Sequence, residues 1–412
     1  MAEARVNEAA AFVISARMAK ALADRWRSRI LMELCVRPLS PSQFVDLVGG
    51  ELAHISRCFR QLRDWDFIEI IETKRGGHRR GGVEHVYRRV QRALFDTTVW
   101  EQLPRAYRDE CSGSALESYI ARISEAIEAG TFDEELDRHL SWDGIALDRV
   151  AWMQLVTRLD EILFGLPDLA LEAAERMAAT GGEGLIPTTV GLAAFRSPSE
   201  INGLPPRSTE EGSSDPPVAT PFVISAKMAK ALANEWRSRI LMELRVRPLS
   251  PTQFVTEIGG EKRNIRRCFR QLADWDYIEI IETKSGGRRR GGRENFYRQK
   301  QRAFFDTGTW ELLPRFLRDE CSAAFLHSYF YRVNEAIEAG TFDVEVDRHL
   351  SWDGVALDRI AWTEVMTQLD RVLEWLPMLE EEAAERMKET GEESIPTTVG
   401  LAGFRSPKAR RK

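Results

Sequence analysis

No apolar run in the 412 residues approaches the roughly 18 that a membrane helix needs. The first residues, MAEARVNEAAAF, lack the basic, then apolar, then cleavable order of a signal peptide. No membrane contact and a cytoplasmic location are therefore expected. Cysteine is scarce too. The five cysteines form no CxxC pair and suit neither a zinc ligand set nor a disulfide framework, so reduced thiols are expected. There is no GxGxxG after a strand, no GxxxxGK[ST], no HExxH and no GxSxG. The chain thus reads as no enzyme, with no cofactor and no metal. What it does have, 43% hydrophobic and 30% charged residues, is a globular composition. The net charge of −6 argues against indiscriminate polyanion binding but leaves room for a local basic patch.

The chain is duplicated. Residues 12–181 align without a gap on 222–391, with roughly 117 of 170 positions matching, and IPTTVGLAAFRSP (186–198) returns as IPTTVGLAGFRSP (395–407). A unit of nearly 190 residues is too long for a solenoid repeat and reads as a whole domain. The expected units are 12–198 and 221–407. Between them, residues 199–220 are rich in Pro, Ser, Gly and Glu and read as a flexible linker; 408–412 form a basic tail.

Within one copy, Ile14, Met18, Leu22, Trp26, Ile30 and Leu34 trace one apolar helix face that ends before Pro38. Ser40, Pro41 and Gln43 then spell a capping box, repeated as Ser250, Pro251 and Gln253. Gly49 and Gly50 break that helix, and Ile55, Cys58, Phe59 and Leu62 give the stripe of the next. IEIIETK, a glycine- and arginine-rich tip, and VEHVYRRV predict a hairpin. The remainder reads as three or more amphipathic helices, the last with Val150, Leu155, Leu159, Ile162, Leu163 and Leu166 on its apolar side. His139 and His349, in DRHLSWD, are the only histidines the copies share. An Asp and a His two apart could ligate a metal or relay a proton, or serve structure alone. Trp100, Trp142 and Trp152 are expected in the core.

The run SPSQFVDLVGGELAHISRCFRQLRDWDFIEIIETKRGGHRRGGVEHVYRRV, with its counterpart from Ser250, resembles the ArsR-like winged-helix transcriptional regulators over roughly 80 residues per copy. The resemblance implies a mainly α fold with small β wings: two tandem winged helix-turn-helix domains, each with a C-terminal helical extension. The DNA-binding parts would be 12–92 and 222–302, and the helical parts 96–180 and 306–390. It also implies dimers on operator DNA, with those helices forming the dimer interface or enclosing a small-molecule effector. Some members sense metals through cysteines; here Cys35 is followed by Arg37 where a second thiol would stand, and the other copy reads ELRVRP.

Charge agrees with a double-stranded DNA partner. Residues 51–92 hold ten Lys/Arg against six Asp/Glu, and 261–302 hold thirteen against six, in a chain acidic overall. Recognition-helix candidates are His54, Ser56, Arg57 and Arg60 in the first copy and Lys262, Arg263, Asn264, Arg266, Arg267 and Arg270 in the second. Wing candidates are Arg75, Arg79 and Arg80, then Arg288, Arg289, Arg290 and Arg293. A linker of about 22 residues has a relaxed span near 25 Å and stretches to about 70 Å, so one chain can place both units on successive half-sites. The expectation is a single-chain pseudo-dimer, with pairing between two chains as the competing arrangement. A protein-binding antirepressor or scaffold is the alternative function, and RNA binding a further one.

Overall fold

The computed structural model describes residues 16–75, 83–90, 100, 103–180, 184–198, 221–223, 229, 231–285, 293–300, 302–304, 310, 312–345 and 347–407. The first copy runs α1 (Ala16–Leu22), α2 (Arg25–Val36), α3 (Pro41–Val48), α4 (Leu52–Asp64), β1 (Ile68–Arg75), β2 (Val83–Arg89), α5 (Arg105–Glu128), β3 (His139–Leu147), α6 (Arg149–Ala179) and β4 (Ile186–Arg196). A short strand β5 (Pro221–Val223) opens the second. It continues with α7 (Glu235–Val246), α8 (Pro251–Glu257), α9 (Lys262–Asp274), β6 (Ile278–Ser285), β7 (Arg293–Gln299), β8 (Arg302–Phe304), α10 (Arg315–Glu338), β9 (His349–Leu357), α11 (Arg359–Thr390) and β10 (Ile395–Arg405). The expected linker and basic tail lie outside the described residues.

Local chemistry explains the small helices. The single first helix expected from periodicity is two, because Asp24 leaves the helical conformation and its side chain accepts from Arg27 N at 2.9 Å, starting α2 afresh. Ser40 and Gln43 form the capping box at α3, and Ser250 and Gln253 repeat it at α8. Gly49 and Gly50 then take φ of 94° and 102°, where a side chain is strained. Phe44, Ile55, Phe59 and Leu62 are buried, each contributing about 1.5–3 kcal/mol, and Phe59 stacks 5.1 Å from Tyr87 of β2. Tyr87 also exchanges two 3.0 Å backbone hydrogen bonds with Leu39, which pins the hairpin to the helices.

The remainder of each copy is not the all-helical extension expected. β3 falls inside the stretch read as helix, β4 follows it, and their counterparts β9 and β10 join them in one antiparallel sheet of order β3-β10-β4-β9. The result is a mixed α/β fold in which helices predominate. The copies interleave: β4 lies between β10 and β9, and β10 between β3 and β4, so each inner strand pairs only with strands of the other copy. Leu192 of β4 sits opposite Leu401 of β10, its own equivalent, and this places a pseudo-two-fold axis at the centre of the sheet.

Alternate sheet residues enter different cores. Val190, Leu192 and Ala194 join Leu155, Leu159, Ile162 and Leu166 of α6 and the matching side chains of α11. Ala193 and Phe195 join Tyr119 of α5 and Phe325 and Tyr329 of α10 on the other face. Gly191 is required there, because a Cβ would lie 2.2 Å from Tyr119 Oη. Val150, placed in the apolar stripe by its spacing, is instead 50% exposed in the first turn of α6. Trp100, Trp142 and Trp152 are buried as core residues.

Polar groups also cross between copies. Arg176 of α6 donates to Asp358 at 2.6 and 3.0 Å, and Arg386 of α11 to Asp148 at 2.5 and 3.0 Å. His139 Nδ1 lies 2.7 Å from Asp370, and His349 Nδ1 3.0 Å from Asp160. If a protease site is inserted between residues 205 and 206, cleavage should leave the halves comigrating by native size exclusion. Separation without denaturant would refute the interleaved sheet. A second expectation concerns pH. The Arg176 hydrogen bond, aided by the Ala361 N–H, holds the Asp358 carboxyl at about 2, below the roughly 3.9 of a free aspartate. Its stabilisation is present above about pH 4 and lost as pH falls toward about 2. Arg176→Met should therefore lower the urea midpoint at pH 7 and lower it less at pH 3; equal losses would exclude the linkage.

Candidate nucleic-acid interface

The same apolar stripe that buries α4 decides what its other side presents. Ile55, Cys58, Phe59 and Leu62 face the core, which leaves Arg57 and Arg60 exposed and His54 and Ser56 half-buried. His54 Nε2 lies 3.6 Å from Cys58 Sγ one turn on, and Arg60 Nε donates to the Ser56 carbonyl at 3.4 Å. In α9 the buried residues are Ile265, Cys268, Phe269 and Leu272, and Lys262, Arg263, Arg266, Arg267 and Arg270 are exposed. Asn264 is half-buried, and its side-chain oxygen accepts from Arg267 at 2.8 Å.

Exposed cations on these two helices differ from many other arginines among the described residues. Arg29, Arg122, Arg239 and Arg332 are buried against Glu33 and Glu243, and Arg149, Arg176, Arg359 and Arg386 pair with carboxylates of the other copy. Among the described residues, Arg57, Arg60, Lys262, Arg263, Arg266, Arg267 and Arg270 form no ion pair within 4 Å. Five of these seven belong to α9, so the second copy carries the stronger positive face. Arg63, near the end of α4, is held by Asp64 at 2.7 Å.

The hairpins place fewer of the expected contacts. Arg75 ends β1 in register with Val83, and Arg293 is exposed at the start of β7, in register with Ser285. Arg79, Arg80, Arg288, Arg289 and Arg290 lie outside the described residues. The stem arginines Arg88 and Arg298 are engaged by Glu69 at 2.5 Å and Glu279 at 2.6 Å.

One residue of this region escaped the sequence reading. Glu261 caps α9, accepting from Arg263 N at 3.0 Å and Asn264 N at 2.9 Å, whereas Glu51 makes no such bond to α4. Glutamate is outside the favoured N-cap set, so no composition rule flags it.

Elsewhere, no three His, Cys, Asp or Glu side chains converge as a metal site among the described residues. His139 and His349 each bond one carboxylate of the other copy and a serine two residues on, Ser141 and Ser351. Burial pushes the Cys111 and Cys321 thiols up to about 12, and each donates to a backbone carbonyl. Among the described residues no helix is long and apolar enough to cross a membrane.

Compared with known proteins, the chain matches no family model, no curated protein and no solved structure. Because α9 has a carboxylate cap and α4 does not, Glu261→Ala should cost about 1 kcal/mol, with Glu51→Ala costing a few tenths at most. Denaturant midpoints of the two variants check this, and equal losses would contradict the capping difference.

Proposed function

We propose that the protein is a sequence-specific DNA-binding transcriptional regulator, without catalytic activity, acting as a single-chain pseudo-dimer of two winged helix-turn-helix units similar to ArsR-like regulators. In this reading α4 and α9 are the recognition helices, α3 and α8 the supporting helices, and the β1–β2 and β6–β7 hairpins the wings. The observation that carries it is the α9 surface: a helix buried along one side and bearing five exposed cations with no carboxylate partner on the other. Lys and Arg so placed position against phosphates, and arginine at the start of such a helix reads guanine. The pseudo-two-fold through Leu192 and Leu401 supports it further, since paired half-sites are related by two-fold symmetry.

The copies are not equivalent. α4 offers His54, Ser56, Arg57 and Arg60, with two free cations against five, so its half-site differs in sequence and is bound more weakly. An asymmetric operator follows. A second reading, a protein-binding antirepressor or scaffold, draws on Leu52 at 47% exposure at the start of α4 and Ile280 and Ile281 at 51% and 43% on the second hairpin.

Duplexes selected from a random pool should yield one asymmetric motif, whereas a scaffold yields none. On the selected duplex, Arg266→Ala with Arg267→Ala should weaken binding at least several-fold. It should also make the log K against log salt slope shallower by about 1–2, roughly 0.9 per lost phosphate contact. Unchanged affinity and slope would exclude α9 as a reading head.

A further inference from the structure

The two halves differ at one place behind the hairpin. In the first half, α2, β2 and α6 meet the outer strand β9 of the second copy around a cavity of about 330 Å³. It is lined by Leu34, Cys35, Arg89, Ala170, Val355 and Ala356, among others. By the repeat, Cys35, Arg89 and Ala170 correspond to Arg245, Gln299 and Glu380. There Arg245 donates to Asp143 at 2.8 Å and lies 3.4 Å from the Glu380 carboxylate. Glu380 in turn accepts from Ala146 N at 3.2 Å, on the edge of β3. The second half thus fills the equivalent space with a side-chain carboxylate held by an arginine and a strand-edge amide.

The first half keeps the strand-edge amide, has Cys35 in place of the arginine but a guanidinium from β2, Arg89, and lacks that carboxylate. Ala356, the equivalent of Ala146, lines the cavity, and Ala170 stands where Glu380 would reach it. Arg89 lines it too; its side chain is 9% exposed, and its contact with Asp353 is 3.6 Å, beyond hydrogen-bond length. A guanidinium has five N–H donors, so one distant carboxylate leaves most of them to be used. Leu34, Val90, Ala170, Ala174 and Val355 supply apolar side chains to the same lining.

We infer that this cavity binds a small carboxylic acid, its carboxylate taking the place of Glu380 between Arg89 and the Ala356 N–H and its apolar body lying against Leu34, Ala170 and Val355. At interior packing density the space holds about a dozen non-hydrogen atoms. In the second half Glu380 already occupies the equivalent position, so one molecule binds per chain. Its floor is α2 and β2, which carry the first recognition helix, so the ligand bears on that unit alone; this consequence rests on the DNA reading, whereas the site does not.

The test is calorimetry on the full chain without DNA, with 4-phenylbutyrate and decanoate as probe acids and their amides as controls. An acid should bind at one per chain, at least about tenfold tighter than its amide, the factor one charge-assisted hydrogen bond carries. Cys35 is the one described cysteine that is not buried, so bimane labelling there should slow when the acid is bound. The variant Cys35→Arg, Arg89→Gln, Ala170→Glu installs a set the second half already accommodates and should lose binding while keeping its circular dichroism. The reverse exchange, Arg245→Cys, Gln299→Arg, Glu380→Ala, should raise the stoichiometry to two. Absence of binding by both acids, equal binding of acid and amide, or binding retained by the first variant would overturn the site. A protein that binds the acid but no duplex would leave it standing and remove only the DNA reading.

Discussion

The interleaving of β3, β10, β4 and β9 is the constraint on which the rest of the molecule depends. A strand left without neighbours exposes a row of N–H and C=O groups, and inside a core each costs on the order of a lost hydrogen bond. β4 and β10 sit in the middle of the sheet, and both neighbours of each come from the other copy. Neither half can therefore complete its centre alone. The outer helices follow: α6 packs on β9, α11 on β3, and the two helices on each other, again across the copies. The long helices, the crossing ion pairs and the histidine–aspartate contacts are all arranged around that sheet.

Symmetry at the sheet governs where the small helices go. In each copy a buried glutamate, Glu33 or Glu243, ties the helix before the capped turn to the long helix beneath the sheet through two arginines. Burying such a cluster is costly, and removing one partner would leave an uncompensated charge, so it favours one orientation over stability as such. Each unit is also fixed to the opposite copy: α2 packs on β9, and α7 on β3. The docking charges are exchanged between the halves. Asp353 faces Arg89 from a hairpin strand, while Asp143 faces Arg245 from a helix. Asp143 and Asp353 thus each face an arginine that comes from a different position in the two halves, while the surrounding space differs.

Much of the candidate interface was legible because its determinants are local. Ser40 with Gln43, Gly49 with Gly50, and the spacing of Ile55, Cys58, Phe59 and Leu62 act within a few residues of themselves. The sheet was not legible. HLSWDGIAL and IPTTVGLAAFR are buried on both faces, so the apolar–polar alternation that betrays a half-exposed strand is missing. Their partners lie about 200 residues away in the sequence, beyond any periodicity rule, and Gly191 gains its meaning only beside Tyr119. The cavity behind the first hairpin was invisible for the same reason. Cys35 stood out as an unmatched thiol, but its link to Ala170 and Arg89 is purely spatial.

A fused pair holds two units in fixed stoichiometry and lets them diverge, which a homodimer encoded by one copy cannot do. The places where these halves differ and agree follow that logic. The buried stripes of α4 and α9 are identical, as are the sheet residues Leu192 and Leu401 that meet on the axis. Divergence includes the exposed starts of α4 and α9 and the positions of Cys35, Arg89 and Ala170, and runs also along α5 and α6. With Cys35, Arg89 and Ala170 in one half and Arg245, Gln299 and Glu380 in the other, Asp353 and Asp143 still each face an arginine. The difference between the halves is therefore a built asymmetry, with one unit strongly cationic and closed behind its hairpin, and the other weakly cationic and open.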